Sequence, residues 1–143
     1  MKYSIGQAAK ITGLTTHTLR YYEKEGLLPF VQKSGSGLRI FQESDIGWIN
    51  MIECLKGVGM SLKGIKQYID WYQEGDQTLE KRLQMFISQK QNLLQQMEQL
   101  EHHMEKINYK INLYTEAVKL GSLEKATQQP HIKEEKEKVY QAA

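Results

Sequence analysis

Between residues 79 and 118 the apolar residues recur at alternating spacings of four and three without a slip. They are Leu79, Leu83, Phe86, Leu93, Met97, Leu100, Met104, Ile107, Ile111, Tyr114 and Val118, with Lys90 as the one charged member of the series. No proline or glycine falls inside the stretch. This pattern predicts one long helix with a narrow apolar stripe, built to pair with another helix. At about 1.5 Å per residue it would run roughly 60 Å, more than the remaining residues can wrap. The expected partner is a second copy of the same helix, and a lone Lys in the seam costs stability but fixes register. The alternative is a long helix folded back on its own domain.

The 143 residues suffice for one domain plus this extension, and the formal net charge is only +2. The distribution of charge says more than the total. Residues 1–42 carry six basic residues (Lys2, Lys10, Arg20, Lys24, Lys33, Arg39) against two acidic ones, Glu23 and Glu25. A local basic excess is an electrostatic footprint for phosphate. The single cysteine, Cys54, excludes an intrachain disulfide and a thiolate metal cluster within one chain. No apolar run approaches membrane-spanning length and the first residues lack a signal-peptide pattern, so a cytoplasmic protein away from the membrane is expected.

Ser4, with Gln7 three residues on, reads as a capping box opening a short helix over residues 4–12. Thr12-Gly13-Leu14 is a tight turn. A second helix is predicted from Thr15 to Glu25, stopped by Gly26. Its faces separate into an inner set, Thr15, Thr18, Leu19 and Tyr22, and an outer set, Thr16, His17, Arg20, Tyr21 and Lys24. Helix, glycine-containing turn and helix form a helix-turn-helix pattern, with the second helix available for a major groove. Arg and Lys neutralise phosphates, Tyr hydroxyls bond them, and His and Thr reach base edges. A solvated polar face would show the same spacing.

Residues 30–42 read as a two-stranded hairpin around Ser34-Gly35-Ser36-Gly37, a wing with Lys33 and Arg39 flanking its tip. A third helix from Ser44 to Lys56 carries Ile46, Trp48, Ile49, Met51, Ile52 and Leu55 over most of its circumference, which marks it as buried. After Gly57-Val58-Gly59, Ser61 caps a fourth helix, Leu62 to about Gln73. There Leu62, Ile65, Ile69 and Tyr72 point inward, and Lys63 and Lys66 are outward candidates for phosphate contact. Gly75-Asp76 breaks the chain before the long helix. Past Val118 the pattern fades. Gly121, Pro130 and the charge run 133–138 predict a weakly ordered tail with at most a short final helix, too short for a separate ligand-binding domain. The domain reading is residues 1–75 for DNA binding, 76–119 for dimerisation and 120–143 as tail.

The strings SIGQAAKITGLTTHTLRYYEKEGLL, SGLRIFQESDI and LKGVGMSLKGIKQYI resemble the N-terminal domain of the MerR family of bacterial transcription regulators. The most specific parts are Leu19-Arg20-Tyr21-Tyr22-Glu23, Gly26-Leu27-Leu28 and Gly59-Met60-Ser61-Leu62. The resemblance covers the first half of the chain, and the long helix fits it. It implies a mainly α fold: a winged helix-turn-helix DNA-binding domain with a small β-wing, then a long antiparallel coiled-coil dimerisation helix. It further implies a homodimer on a pseudo-palindromic operator in an overlong promoter spacer. Bending and untwisting that spacer would let RNA polymerase engage both promoter elements. By the same resemblance Arg20 and Tyr21 map onto phosphate-contacting positions, Thr16 and His17 onto the base-reading part of the helix, and Arg39 onto the wing arginine. Leu38 and Phe41 depart from the family, which often has Tyr there. Phe41 lacks the hydroxyl, although its ring can pack.

Metal-sensing members have cysteines just beyond the dimer helix. This chain has none there, and His102 and His103, being adjacent, point about 100° apart on a helix. No metal and no cofactor is expected. Trp71, Tyr72 or Tyr109 would line a small pocket near the coiled coil or serve as packing. One short-tailed branch of the family responds to carbonyl electrophiles through a cysteine in the third helix, and Cys54 falls in the corresponding segment. The resemblance thus makes Cys54 a candidate electrophile sensor. The other readings are a small core residue and a noncovalent small-molecule inducer. An architectural or excisionase-type DNA-binding protein would use the same winged helix. No phosphate loop, metal-ligand spacing or nucleophile–base pair suggests an enzyme.

Overall fold

Ser4 sits in extended backbone and opens α1 (Ile5–Thr12). Its hydroxyl accepts from the Gln7 amide at 3.2 Å and the Gln7 side chain accepts from the Ser4 amide at 2.9 Å, the reciprocal cap the sequence predicts. Gly13, at φ 75°, turns the chain into α2 (Thr16–Lys24), where Thr15 Oγ1 accepts from the Thr18 amide at 3.0 Å. Leu19 and Tyr22 of α2 are buried. The computed structural model describes residues 1–141. They fall into two compact units, one within residues 1–90 and one from Gln91 onward.

In the first unit the wing has three strands, one more than the sequence pattern indicates. β1 (Lys2–Tyr3), β2 (Gln32–Lys33) and β3 (Arg39–Gln42) form an antiparallel sheet in the order β1-β3-β2. Tyr3 faces Phe41 on one side of β3, and Lys33 faces Arg39 on the other. Two residues of β1 offer no alternation to read. Phe41 is fully buried, so at this position the ring serves the core.

α3 (Glu43–Gly57) begins one residue ahead of Ser44. The Gln42 amide donates to Asp45 Oδ2 at 2.8 Å, which holds the buried Asp45 at the helix N-terminus. α4 (Leu62–Glu74) is capped by Ser61, whose Oγ accepts from the Gly64 amide at 3.1 Å. Leu19, Tyr22, Leu27, Leu28, Phe41, Ile46, Ile49, Ile52, Leu55, Ile65 and Ile69 form one buried cluster. Each aliphatic or aromatic side chain buried there contributes about 1.5–3 kcal/mol. Tyr72, expected to point inward, stays exposed on one side while its ring meets Trp48 edge-on at 4.7 Å. Trp48 in turn packs on Tyr68, and Tyr68 on Phe86 at 5.2 Å.

A 3-10 turn over Asp76–Thr78 leads into α5 (Leu79–Leu120), 42 residues without interruption. Met85 and Phe86 of α5 pack against the first cluster.

The tail does not behave as expected. α6 (Leu123–Thr127) and α7 (Pro130–Gln141) are both formed, and Ala126 and Ile132 are buried with Tyr109 and Leu113 of α5. The reason is that α5 supplies the apolar surface. A few well-spaced residues, Ala126, Ile132 and Val139, suffice to dock on it, and the charge run becomes the solvated side of α7. Ser122 caps α6, accepting from the Lys125 amide at 3.2 Å, and Pro130 occupies the first turn of α7, where its missing N–H costs nothing. Asn112 Nδ2 donates to the Glu135 carboxylate at 2.9 and 3.1 Å. Tyr109 and Leu113 each lie two positions beyond Ile107 and Ile111, about 200° round the helix. The buried contact of the tail therefore lies off the apolar seam, while Tyr140 of α7 borders it beside Ile107, Ile111 and Tyr114.

Candidate nucleic-acid interface

The cap at Thr15 sets Thr16 and His17 in the first turn of α2, and Arg20, Tyr21 and Lys24 follow along the same side. His17, Arg20, Tyr21 and Lys24 are exposed and Thr16 is half-buried. Their polar side follows from burial of Leu19 and Tyr22 opposite. The hairpin brings Lys33 and Arg39 to face α2. Arg20, Lys24, Lys33 and Arg39 line one cleft of about 670 Å³ together with Ile5, Glu23, Gly37 and Leu38. Four cations gathered on one concave surface suit a run of backbone phosphates. Gly37, at φ 86°, permits the turn that aligns the two wing cations.

Lys63 and Lys66 do not line this cleft. Both are exposed on α4, and Lys66 Nζ donates to both Asp70 carboxylate oxygens at 3.0 and 3.2 Å. A Cβ placed at Gly26 would approach Lys66 Cε to 3.0 Å, and Gly26 has φ 78°. Glycine there serves both the turn and the contact with α4.

Glu23 is the member of the cleft that sequence reasoning did not single out. Its carboxylate pairs with Arg39 Nε, joining α2 to the wing. The one sequence signal for it is an acid standing among the basic residues of the first 42 positions. A second joint was also missed. Tyr22 Oη donates to Glu53 Oε1 at 2.5 Å and accepts from Lys56 Nζ at 2.6 Å, tying α2 to α3. Burial and then the hydrogen bond to Glu53 push the Tyr22 pKa up, and the bond to Tyr22 pushes Lys56 up. Cys54 lies between Glu53 and Lys56 in sequence and is exposed, so it is not a core residue.

Ten of the apolar seam residues of α5, Leu79, Leu83, Leu93, Met97, Leu100, Met104, Ile107, Ile111, Tyr114 and Val118, are 42–83% exposed. Phe86 is half-buried against Tyr68. Of the three aromatic residues suggested for a pocket, Tyr109 is buried under the tail, Trp71 is half-buried and Tyr72 is part of the ring cluster around Trp48. His102 and His103 are exposed, with His102 Nδ1 3.6 Å from Glu105. Among the described residues no group of three His, Cys, Asp or Glu could hold a metal ion, and no helix is long and apolar enough to cross a membrane.

The sequence matches the family profile described as MerR HTH family regulatory protein over residues 3–70, and that described as MerR, DNA binding over residues 46–108. An uncharacterized HTH-type transcriptional regulator of Haemophilus influenzae is 40% identical over 134 residues, covering 94% of this chain and 98% of that one. The HTH-type transcriptional regulator AdhR of Bacillus subtilis is 41% identical over 92 residues, 64% of this chain and 66% of its own. Among solved structures, that of HiNmlR, a MerR family regulator lacking the sensor domain, bound to promoter DNA, superposes with a TM-score of 0.84 at 38% identity. The match covers 90% of this chain and 98% of that one. The winged helix, its cation-lined cleft and these relatives agree: the chain belongs to the MerR family and is a DNA-binding transcriptional regulator, not an enzyme.

Proposed function

We propose that the protein acts as a cytoplasmic homodimer that binds a pseudo-palindromic operator in an overlong promoter spacer and activates by bending and untwisting it for RNA polymerase. In this reading residues 1–75 read the DNA, 76–119 pair antiparallel with the partner's helix, and the tail beyond braces the far part of α5. The observation that carries it is the exposed seam of α5. Ten apolar side chains along one stripe of an isolated chain are the signature of a surface awaiting a partner, and heptad spacing selects a helix like itself. A two-fold dimer then presents two copies of α2 and the wing, which a pseudo-palindrome matches. Arg20, Tyr21, Lys24, Lys33 and Arg39 contact phosphates, with Lys63 and Lys66 as further contacts from α4. Thr16 and His17 approach base edges. HiNmlR, bound to promoter DNA, supports the choice of target.

Cys54 is the proposed electrophile sensor. Its exposure gives a reagent access, and its neighbours Glu53 and Lys56 hold Tyr22 of α2. An adduct there has a direct route to the DNA-reading helix. A coupling of a few kcal/mol is enough to move a two-state equilibrium about a hundredfold.

The test is transcription in vitro from the region upstream of the protein's own gene, comparing wild type with Cys54→Ser, with and without a small aldehyde. Footprinting on the same DNA locates the site. Activation of wild type alone supports the thiol mechanism. An equal response from both proteins points to a noncovalent inducer. Protection that falls outside a promoter spacer refutes activation by spacer distortion and favours an architectural role.

A further inference from the structure

Glu23 is the one acidic residue lining the cleft that Arg20, Lys24, Lys33 and Arg39 make. By charge alone a carboxylate in a phosphate-binding cleft repels the ligand and lowers affinity. Its geometry gives it a different part. The Glu23 carboxylate meets Arg39 at Nε, one of the five N–H donors of the guanidinium. The other four sit on the two Nη atoms, the edge that suits two phosphate oxygens.

Arg39 needs such a hold. It lies directly across the hairpin from Lys33, and like charges facing each other on adjacent strands push the side chains apart. The wing tip beside it is Ser34-Gly35-Ser36-Gly37, short residues that offer no packing. Glu23, by contrast, stands on α2, which Leu19 and Tyr22 anchor in the core. Both partners are mostly shielded, with side-chain exposures of 20% for Glu23 and 29% for Arg39.

We propose that Glu23 is a positioning residue for DNA binding: it holds the Arg39 guanidinium between the wing and α2, so that the wing arginine is already placed when phosphate arrives. This rests on the reading of the cleft as a phosphate site. Ordering a free arginine on binding costs affinity, and holding it beforehand recovers roughly threefold to tenfold. That gain outweighs the repulsion of a carboxylate whose charge the same arginine already neutralises.

The experiment measures binding of the full chain to a random-sequence DNA duplex over a range of salt concentrations. The proteins are wild type, Glu23→Ala, Glu23→Gln, Arg39→Ala and the double variant Glu23→Ala/Arg39→Ala. Thermal melts check folding. Glu23→Ala is expected to weaken binding about threefold to tenfold and to lower the salt slope by about one, as Arg39→Ala does. The double variant should bind no worse than Arg39→Ala, and Glu23→Gln, which keeps an acceptor oxygen, should fall between wild type and Glu23→Ala. If Glu23→Ala melts early, Glu23→Gln carries the comparison, since it keeps the side-chain size. Tighter binding with an unchanged or steeper slope on removing the Glu23 charge, while Arg39→Ala weakens binding, overturns the proposal. An Arg39→Ala protein with wild-type affinity and slope instead refutes the phosphate reading of the cleft, and the proposal with it.

Discussion

Thr78 Oγ1 donates to the Trp71 carbonyl at 2.5 Å and accepts from Arg82 Nε at 3.1 Å, so a single buried hydroxyl joins the last turns of α4 to the first turn of α5. Arg82 Nη2 reinforces the joint by donating to the Gly75 carbonyl at 2.8 Å. Thr78→Val keeps the shape and removes the oxygen, leaving a carbonyl and a guanidinium N–H short of a partner. The expected loss is about 1–3 kcal/mol of unfolding free energy, read by urea denaturation, with Thr78→Ser restoring most of it.

The Tyr22–Glu53–Lys56 joint carries a pH dependence. The Tyr22 pKa is raised above the ordinary 10.0 by burial and by its bond to Glu53, and Lys56 is raised above 10.5 by its bond to Tyr22. A raised pKa means that the folded state holds the proton more tightly than the unfolded chain does. The stabilisation is therefore full below pH 10, and it is lost as pH rises through the folded values. Wild type should show a flat stability near neutrality and a decline above pH 10. In Tyr22→Phe the decline should be smaller, measured by thermal melts across alkaline buffers. An identical decline in both proteins would assign the effect to other tyrosines, such as Tyr3 beside Glu43.

Arg20 is exposed and lines the cleft without an ion-pair partner of its own among the described residues, whereas Lys66 is already engaged by Asp70. Arg20→Ala is expected to weaken binding across all DNA sequences and to lower the salt slope by about one. Lys66→Ala should lower it by less. Lost base preference at an unchanged slope for Arg20→Ala would assign that residue to base reading.

The seam predicts its own disruption. Leu100, exposed on α5, would meet the paired helix in a homodimer. Leu100→Lys should shift the protein from dimer to monomer in sedimentation at micromolar concentration, because a charge would then be buried without a partner. A wild-type monomer at tens of micromolar would sink the pairing proposal itself.

Ile132 is buried between α7 and α5. Ile132→Ala should cost roughly 2–4 kcal/mol locally. Amide exchange should then show residues 123–141 losing protection while the first 75 keep theirs.

Most of the helical architecture could be read from the chain because its punctuation is local. Ser4 with Gln7, Thr15, Ser61 and the glycines at 13, 26 and 75 act within a few residues of where they stand, and each marks the boundary it predicts. The tail failed for the opposite reason. Ala126, Ile132 and Val139 are too few and too widely spaced to announce helices, and they became a core only because Tyr109 and Leu113 present a surface distant in sequence. The same limit applies at the cleft. Arg20 and Lys24 were visible as one helix face, but the pairing of Glu23 with Arg39 joins residues sixteen positions apart through a fold that had to be seen. The sequence pattern puts Tyr22 on the inner side of α2, yet nothing local to it signals the hydrogen bond from its hydroxyl to Glu53.

Both outer strands of the wing, β1 and β2, are only two residues long, and β2 ends in a lysine beside the Ser-Gly tip. Edge strands ordinarily invite another chain to add itself by backbone pairing, and short, charged edges discourage it. This sheet offers a visitor too few open amides and carbonyls to seat a strand. If copies of the chain meet, the contact must therefore be made by side chains, where sequence can specify it, and not by strands knitting together.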